Sequence, residues 1–306
     1  MNCIRKILSM ITLCMALGGC NGTIGISSTL ASTEGQTVKS DYANECSIII
    51  DDDISINGNG AWLDSGRISI TEGGVYKLTG RAEKGISIDT PEPVKLVLAG
   101  AAVSAAEGSG VLNGRGKLTI FAAEGTDNSI TGGSKEENEG FGVYSKGGLT
   151  LCGGGRLTVK SERGVFSEEE IEIGDIYLDV TASQKGISGK AILINSGETL
   201  VNTEKSGLCA KESILIRGGR AAAFGASAEK IAAEGGELLI LGEISGETEG
   251  FRRFSKEVKA GAFASVLKNG KSVLELTAPA GCQGILFGCG ADSDWYSVTL
   301  DGKVID

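Results

Sequence analysis

The sequence predicts an all-β chain: a right-handed parallel β-helix of about 22 residues per rung with a small β cap at its C-terminus. Three observations carry that prediction. Glycine is abundant, 48 of 306 residues against 3 prolines, and separates short apolar runs, which suits brief strands joined by tight turns. Apolar pairs at i and i+2, the spacing of one strand face, recur at Leu96/Leu98, Leu118/Ile120, Leu149/Leu151, Ile171/Ile173, Ile192/Ile194 and Ile214/Ile216, in steps of 22, 31, 22, 21 and 22. A second series, Val143, Val165, Ile187, Leu208 and Ile231, steps by 22, 22, 21 and 23 in phase with the first, and Leu157/Val159 with Leu178/Val180 carries the same period.

Three short strands per turn with glycine corners make a triangular coil whose inward side chains stack on their equivalents one turn away. Parallel crossovers are almost always right-handed, which sets the expected hand. A βαβ arrangement needs a helix of about ten residues between strands, and the glycine and β-branched content leaves no room for one. The alternative fold is a β-sandwich, but antiparallel strands have no reason to repeat in phase at this interval.

Taken in order, residues 1–19 read as an export signal: basic Arg5 and Lys6, an apolar stretch from Ile7 to Leu17, then small residues. Leu17-Gly18-Gly19-Cys20 looks like a bacterial lipobox, which implies cleavage before Cys20 and lipid on its sulfur; an ordinary signal or an uncut membrane helix is the competing reading. Acyl chains at about 0.8 kcal/mol per buried methylene would hold such a protein on a membrane face. Residues 20–41, rich in Ser, Thr and Gly, lack the apolar surface to fold and form a tether. Residues 42–93 supply an N-terminal cap and first rung, and 94–250 the parallel β-helix. The long step of 31 holds an insertion, 131–142, that projects from one face either as a binding element or as a solvated loop. From 251 to 306 the period is lost, and Asn269-Gly270 between apolar runs predicts a hairpin within the cap.

Composition narrows the chemistry. There is no histidine, which removes Ser-His and Cys-His catalysis and the commonest zinc ligand. Loss of Arg5 and Lys6 with the signal takes the formal charge from −10 to −12. Nucleic acid is therefore not an expected partner, and an anionic polysaccharide is repelled unless a divalent cation bridges it. Beyond Cys3, Cys14 and Cys20, five cysteines remain, Cys46, Cys152, Cys209, Cys282 and Cys289; they cannot all pair, and no CxxC occurs. Cys282 and Cys289 are close enough in sequence to clip a hairpin in an oxidising compartment, with isolated buried thiols as the competing reading.

The segments Gly73-Gly-Val-Tyr-Lys-Leu-Thr-Gly80, Val94-Lys-Leu-Val-Leu-Ala-Gly100 and Gly125-Thr-Asp-Asn-Ser-Ile-Thr-Gly132, with the corners Val143-Tyr-Ser-Lys-Gly-Gly-Leu149 and Gly186-Ile-Ser-Gly-Lys190, resemble a family of extracellular carbohydrate-binding proteins from clostridia and related bacteria. The resemblance runs from about Ser47 to the C-terminus. It implies a calcium-binding right-handed parallel β-helix related to pectate lyases, with plant cell-wall or similar polysaccharide as ligand. In the family the corners are typically rich in Asp, which supplies the hard oxygen ligands calcium prefers; the matching places here hold Gly147, Gly148, Lys185 and Ser206. Glu168, Glu169 and Glu170, with Asp175, are the remaining acidic cluster for a single Ca2+ ion, against the plainer reading of a solvated acidic turn.

Sugar binding needs flat apolar surfaces and a few polar groups. The candidates are Tyr144, beside the insertion, with Phe141, Tyr177, Trp62, Trp295 and Tyr296; Tyr76 also falls among the aromatics, and Trp62, Trp295 and Tyr296 alternatively plug the ends of the coil. The expected function is that of a monomeric, lipid-anchored cell-surface protein that binds polysaccharide without catalysis. A pectate-type lyase is one alternative, needing calcium and an arginine base among Arg156, Arg163, Arg217 and Arg220. A structural or adhesive surface protein is the other.

Overall fold

The computed structural model describes residues 44–50, 54–133, 140–290 and 295–305. The export signal 1–19, Cys20, the tether 20–41 and most of the insertion (134–139) lie outside the described residues. The described residues are all β, with no α-helix. From 94 to 249 each stretch of strand pairs parallel with its equivalent one coil further on, so the antiparallel sandwich is excluded for this region.

A single rung shows how the sequence builds a coil. Strand Tyr177–Ile194 runs through three sides. Its first part, 177–182, lies between Arg156–Ser167 and Glu198–Thr203; the middle and last parts, 185–189 and 191–194, pair with Ser206–Ile216. Alternate residues point inward and stack in register. On the first side Val159, Val180 and Val201 align, then Ala223 and Ile240. On the second side the ladder is Val111, Val143, Val165, Ile187, Leu208. On the third it is Leu118, Leu149, Ile171, Ile192, Ile214, Ile231. All of these are buried and belong to one core, each large side chain contributing about 1.5–3 kcal/mol of burial.

A column of glycines turns the corner into the second side. Gly110, Gly142, Gly164, Gly186 and Gly207 each precede an inward residue of that ladder. A Cβ on Gly164 would lie 2.3 Å from the carbonyl oxygen of Gly186 and 2.4 Å from Cγ1 of Val180; on Gly186 it would meet Cγ1 of Val201 at 2.1 Å. Only a residue without a side chain lets successive coils close at this corner.

The period departs from expectation at both ends. Leu96 pairs with Ile120 and Val94 with Leu118, so the first step is 24 rather than 22. The last coil is shortened: Leu208 pairs with Ala226, not Ile231, and Ile231 pairs with Ile214. Three alanines, Ala221, Ala222 and Ala223, make the strand there slim, and a run of bulges absorbs the lost residues.

At the N-terminal end Glu45–Ile50 pairs parallel with 75–80 and antiparallel with Ile54–Asn57, and Ala61–Asp64 forms a hairpin with Arg67–Ile70. At the other end Cys282–Cys289 pairs antiparallel with 237–241, the last parallel strand, and Phe251–Val258 pairs with Cys282–Cys289 in turn. A separate four-stranded antiparallel sheet follows, of Lys271–Thr277, Phe263–Lys268, Tyr296–Leu300 and Lys303–Ile305. Its hairpin turns on Asn269 and Gly270, both at positive φ (51° and 75°), as a two-residue turn of this kind requires. The sheet was expected to lie over the end of the coil. Instead Ala264, Val266, Leu274 and Val298 pack with Ala222, Phe224, Leu239 and Leu241, which point outward from the first side, so the sheet covers the flank of the last coils. Outward apolar residues at 222, 224, 239 and 241 are what that cover demands.

Cys282 and Cys289 occupy opposite ends of one extended strand. At about 3.3 Å per residue they stand far beyond the ~7 Å Cα separation a disulfide tolerates, so they do not clip a hairpin to one another.

Candidate functional site

Tyr144 and Phe166 come together on the outer surface of the second side. Val143 and Val165 before them, and Ser145 and Ser167 after them, point inward, so period-2 alternation throws both rings out. The serines hold the corner below: Ser145 Oγ and Ser167 Oγ both donate to the carbonyl of Gly147, at 2.8 and 2.9 Å, and Asn113 Nδ2 donates to Ser145 Oγ at 2.9 Å. Tyr144 lies directly opposite Phe166 in register, and their rings stack with centroids 5.3 Å apart and planes 28° apart. Phe141 stands edge-on to Tyr144 at 5.2 Å and tilted against Phe166 at 5.5 Å. Leu112 continues the same row on the other side of Tyr144.

Polar groups rim this platform. Tyr144 Oη donates to Glu168 Oε1 at 2.8 Å, and the Arg163 guanidinium lies 5.4 Å from the centre of the Phe141 ring. Gln184 hydrogen-bonds Glu162 one coil apart. Three half-buried rings with a carboxylate at one edge and a guanidinium at another offer an apolar face for C–H groups and acceptors and donors for hydroxyls.

The Tyr144 phenol is held above its ordinary value by burial first and by the hydrogen bond to Glu168 second. Tyr76 and Tyr296 are raised as well, again chiefly by burial. A proton held more tightly in the folded than in the unfolded chain contributes stability below the ordinary tyrosine value of about 10, and that contribution is lost as pH rises through the higher folded values. Thermal unfolding followed from pH 8 to 11 should therefore show a melting temperature that drops beyond about pH 10. Tyr144→Phe should shallow that drop; an unchanged slope would remove Tyr144 from the cause.

The other aromatic candidates are dispersed. Tyr177, 52% exposed, starts the first side, with the Arg156 guanidinium 5.8 Å from its ring centre. Trp62 (46%) and Trp295 (64%) are exposed and do not plug the coil. Tyr296 is buried: its hydroxyl donates to Glu237 Oε1 at 2.6 Å, and its ring packs on Phe287, so it locks the terminal sheet to the last coil. Tyr76 is fully buried and donates to the carbonyl of Glu72 at 2.8 Å. Phe166 and Arg163 were not singled out from the sequence as sugar contacts, although Phe166 stands 22 residues after Tyr144 and so shares the repeat that placed it.

The acidic residues are engaged separately. Glu168 is engaged by Tyr144, and Asp175 sits at the following corner, its backbone N–H donating to Ser196 Oγ at 2.8 Å. Among the described residues no three Asp, Glu, Cys or His side chains are grouped to hold a metal ion, and a hard cation needs about six oxygens. The arginines do not converge on a reaction centre either. Arg156 faces Asp127, Arg217 faces Glu234 and Arg220 faces Glu237, at 3.8, 3.4 and 3.8 Å, while Arg163 lies over Phe141.

Residues 64–266 match the family described as carbohydrate-binding domain-containing protein. The chain belongs to that family. Among solved structures, "Structure of the polysaccharide lyase-like protein from C. thermocellum, Gadolinium derivative" is similar to this member with a TM-score of 0.57 at 18% identity, covering 67% of this chain and 94% of that one. At that identity the likeness is one of fold. No curated protein matches the sequence.

Proposed function

We propose that this protein binds polysaccharide without cleaving it, as a monomer held at the cell surface by lipid on Cys20, and that its coils wind as a right-handed parallel β-helix. The hand rests on the near-universal preference of parallel crossovers, and the anchor on the Leu17-Gly18-Gly19-Cys20 sequence. Carbohydrate as the ligand class follows from the family, and the similar solved structure is that of a polysaccharide lyase-like protein. One observation carries the location: the outer flank of Phe141, Tyr144 and Phe166, with Glu168 bonded at its edge. Sugar rings lie with their C–H faces on such a surface, and the acidic chain favours uncharged glycans.

Catalysis by a pectate-type route needs a cation to neutralise the uronate and a free arginine to take the proton; the dispersed acids and carboxylate-facing arginines do not favour it. A glycan array run with and without EDTA tests the reading. Neutral plant-type glycans should be bound equally in both conditions. Release of unsaturated products from polygalacturonate with calcium would turn the assignment to a lyase, and silence on every glycan would leave a spacer or adhesin.

A further inference from the structure

A second concave surface lies half a coil from the aromatic platform, 11 residues on from Phe166, at the corner where the third side turns into the first. It is an open trough of about 610 Å3. Its floor is backbone: Gly197 (φ +79°) and Gly219 (φ +67°) stack there with Gly154, and a Cβ on either of the first two would meet a carbonyl oxygen at 2.4 Å. Side chains are therefore kept out of the trough by the close packing of the coils. Glu124, Asp175 and Glu198 line it, with Tyr177 beside them. Arg220 also lines it, with its guanidinium facing Glu237 at 3.8 Å and its Nη1 donating to the carbonyl of Val273 at 3.1 Å. Along the strand row the order is Asp127, Arg156, Tyr177, Glu198, Arg220, Glu237, so Tyr177 is the one ring in a charged ladder.

We infer that this trough is a second sugar site, separate from the platform and selective for uncharged glycans, which presupposes the carbohydrate function proposed above. Tyr177 presents a half-exposed ring for one pyranose face, with the Arg156 guanidinium 5.8 Å from its centre, and three carboxylates accept hydrogen bonds from hydroxyls; because Arg156 and Arg220 each face a further carboxylate of the ladder, the excess negative charge repels a uronate. Neither the aromatic platform nor any of its residues takes part. With sites on two sides of the coil, one chain grips two glycan strands, and on an insoluble polymer the linked contacts raise the apparent affinity about 100-fold over either alone.

Titration calorimetry of the full chain with cellohexaose, xylohexaose and mannohexaose, and with hexagalacturonate as the charged comparator, tests this directly. For the neutral hexaose that binds, wild type should take up about two molecules per chain and Tyr177→Ala about one, as should the paired Tyr144→Ala, Phe166→Ala variant. In that paired variant, where only the trough remains, hexagalacturonate should give no heat. Tyr177 is exposed, and a circular-dichroism melt confirms that its replacement leaves the fold intact. An unchanged stoichiometry in Tyr177→Ala overturns the second site, as does a wild type that binds none of the hexaoses. Hexagalacturonate bound as tightly as the neutral sugar overturns its selectivity. If the paired variant keeps full binding while Tyr177→Ala loses it all, the platform is lost and the trough stands.

Discussion

Gly164→Ala should destabilise the protein by about 3 kcal/mol, the upper end of what overpacking a tight interior costs. The added methyl has nowhere to go: it would sit 2.3 Å from a backbone oxygen of the next coil and 2.4 Å from an interior valine methyl. Backbone cannot swing aside as a long side chain does, and a shift at one coil is passed to the neighbours stacked on it. Gly148→Ala is the matched comparison, because its added methyl finds nothing nearer than 3.9 Å; that change should lie within about 0.5 kcal/mol of wild type. Urea unfolding of the two variants decides it. Equal midpoints would mean that the corner column is not close-packed.

Removing the platform should cost most of the binding at that surface. Tyr144→Ala alone should weaken binding of a neutral hexaose at that surface about tenfold, and Tyr144→Ala with Phe166→Ala about 100-fold, or near 3 kcal/mol at 1.4 kcal/mol per decade. The two rings stack on one another, so the losses are not additive, and each single variant also loosens the ring that stays. Melting curves separate this from unfolding, since both residues are half-buried and their removal leaves the inward ladder of Val143 and Val165 in place. Phe166→Ala is the sharper test, because Phe166 makes no hydrogen bond to a carboxylate as Tyr144 does. Undiminished binding in the double variant would move the sugar elsewhere.

Much of the architecture was legible in the sequence because the inward ladders are made of large β-branched and leucine residues at a constant step. The pairings 149 with 171, 171 with 192 and 192 with 214 are those that periodicity gives. It failed where the chain used other means. The shortened last coil packs alanines and bulges, which carry little apolar signal. The first step slipped by two residues because Val94, Leu96 and Leu98 are all apolar, and period 2 alone cannot choose between them. The flank packing of the terminal sheet depends on Phe224, Leu239 and Leu241 facing outward, and a strand apolar on both faces looks the same as one buried on both.

At the site, Tyr144 and Phe141 were reachable as aromatics near the insertion. Phe166 required asking which residue sits one rung beyond Tyr144, a question about outward positions, whereas the repeat was read from inward ones. The glycine column shows the same gap. Each glycine looks like an ordinary turn residue until the coils are stacked and the space beside it is seen to be filled.

The antiparallel strands Cys282–Cys289 and Phe251–Val258 close the coil against the direction in which it would otherwise continue. A stack of in-register parallel rungs is a template that copies itself: its last open strand accepts any chain offering the same spacing. Reversing strand direction at the final layer and laying a sheet along its flank makes the terminus a poor match for the first rung of another molecule. At this end an antiparallel layer thereby takes the place of the parallel edge that another molecule's first rung could extend.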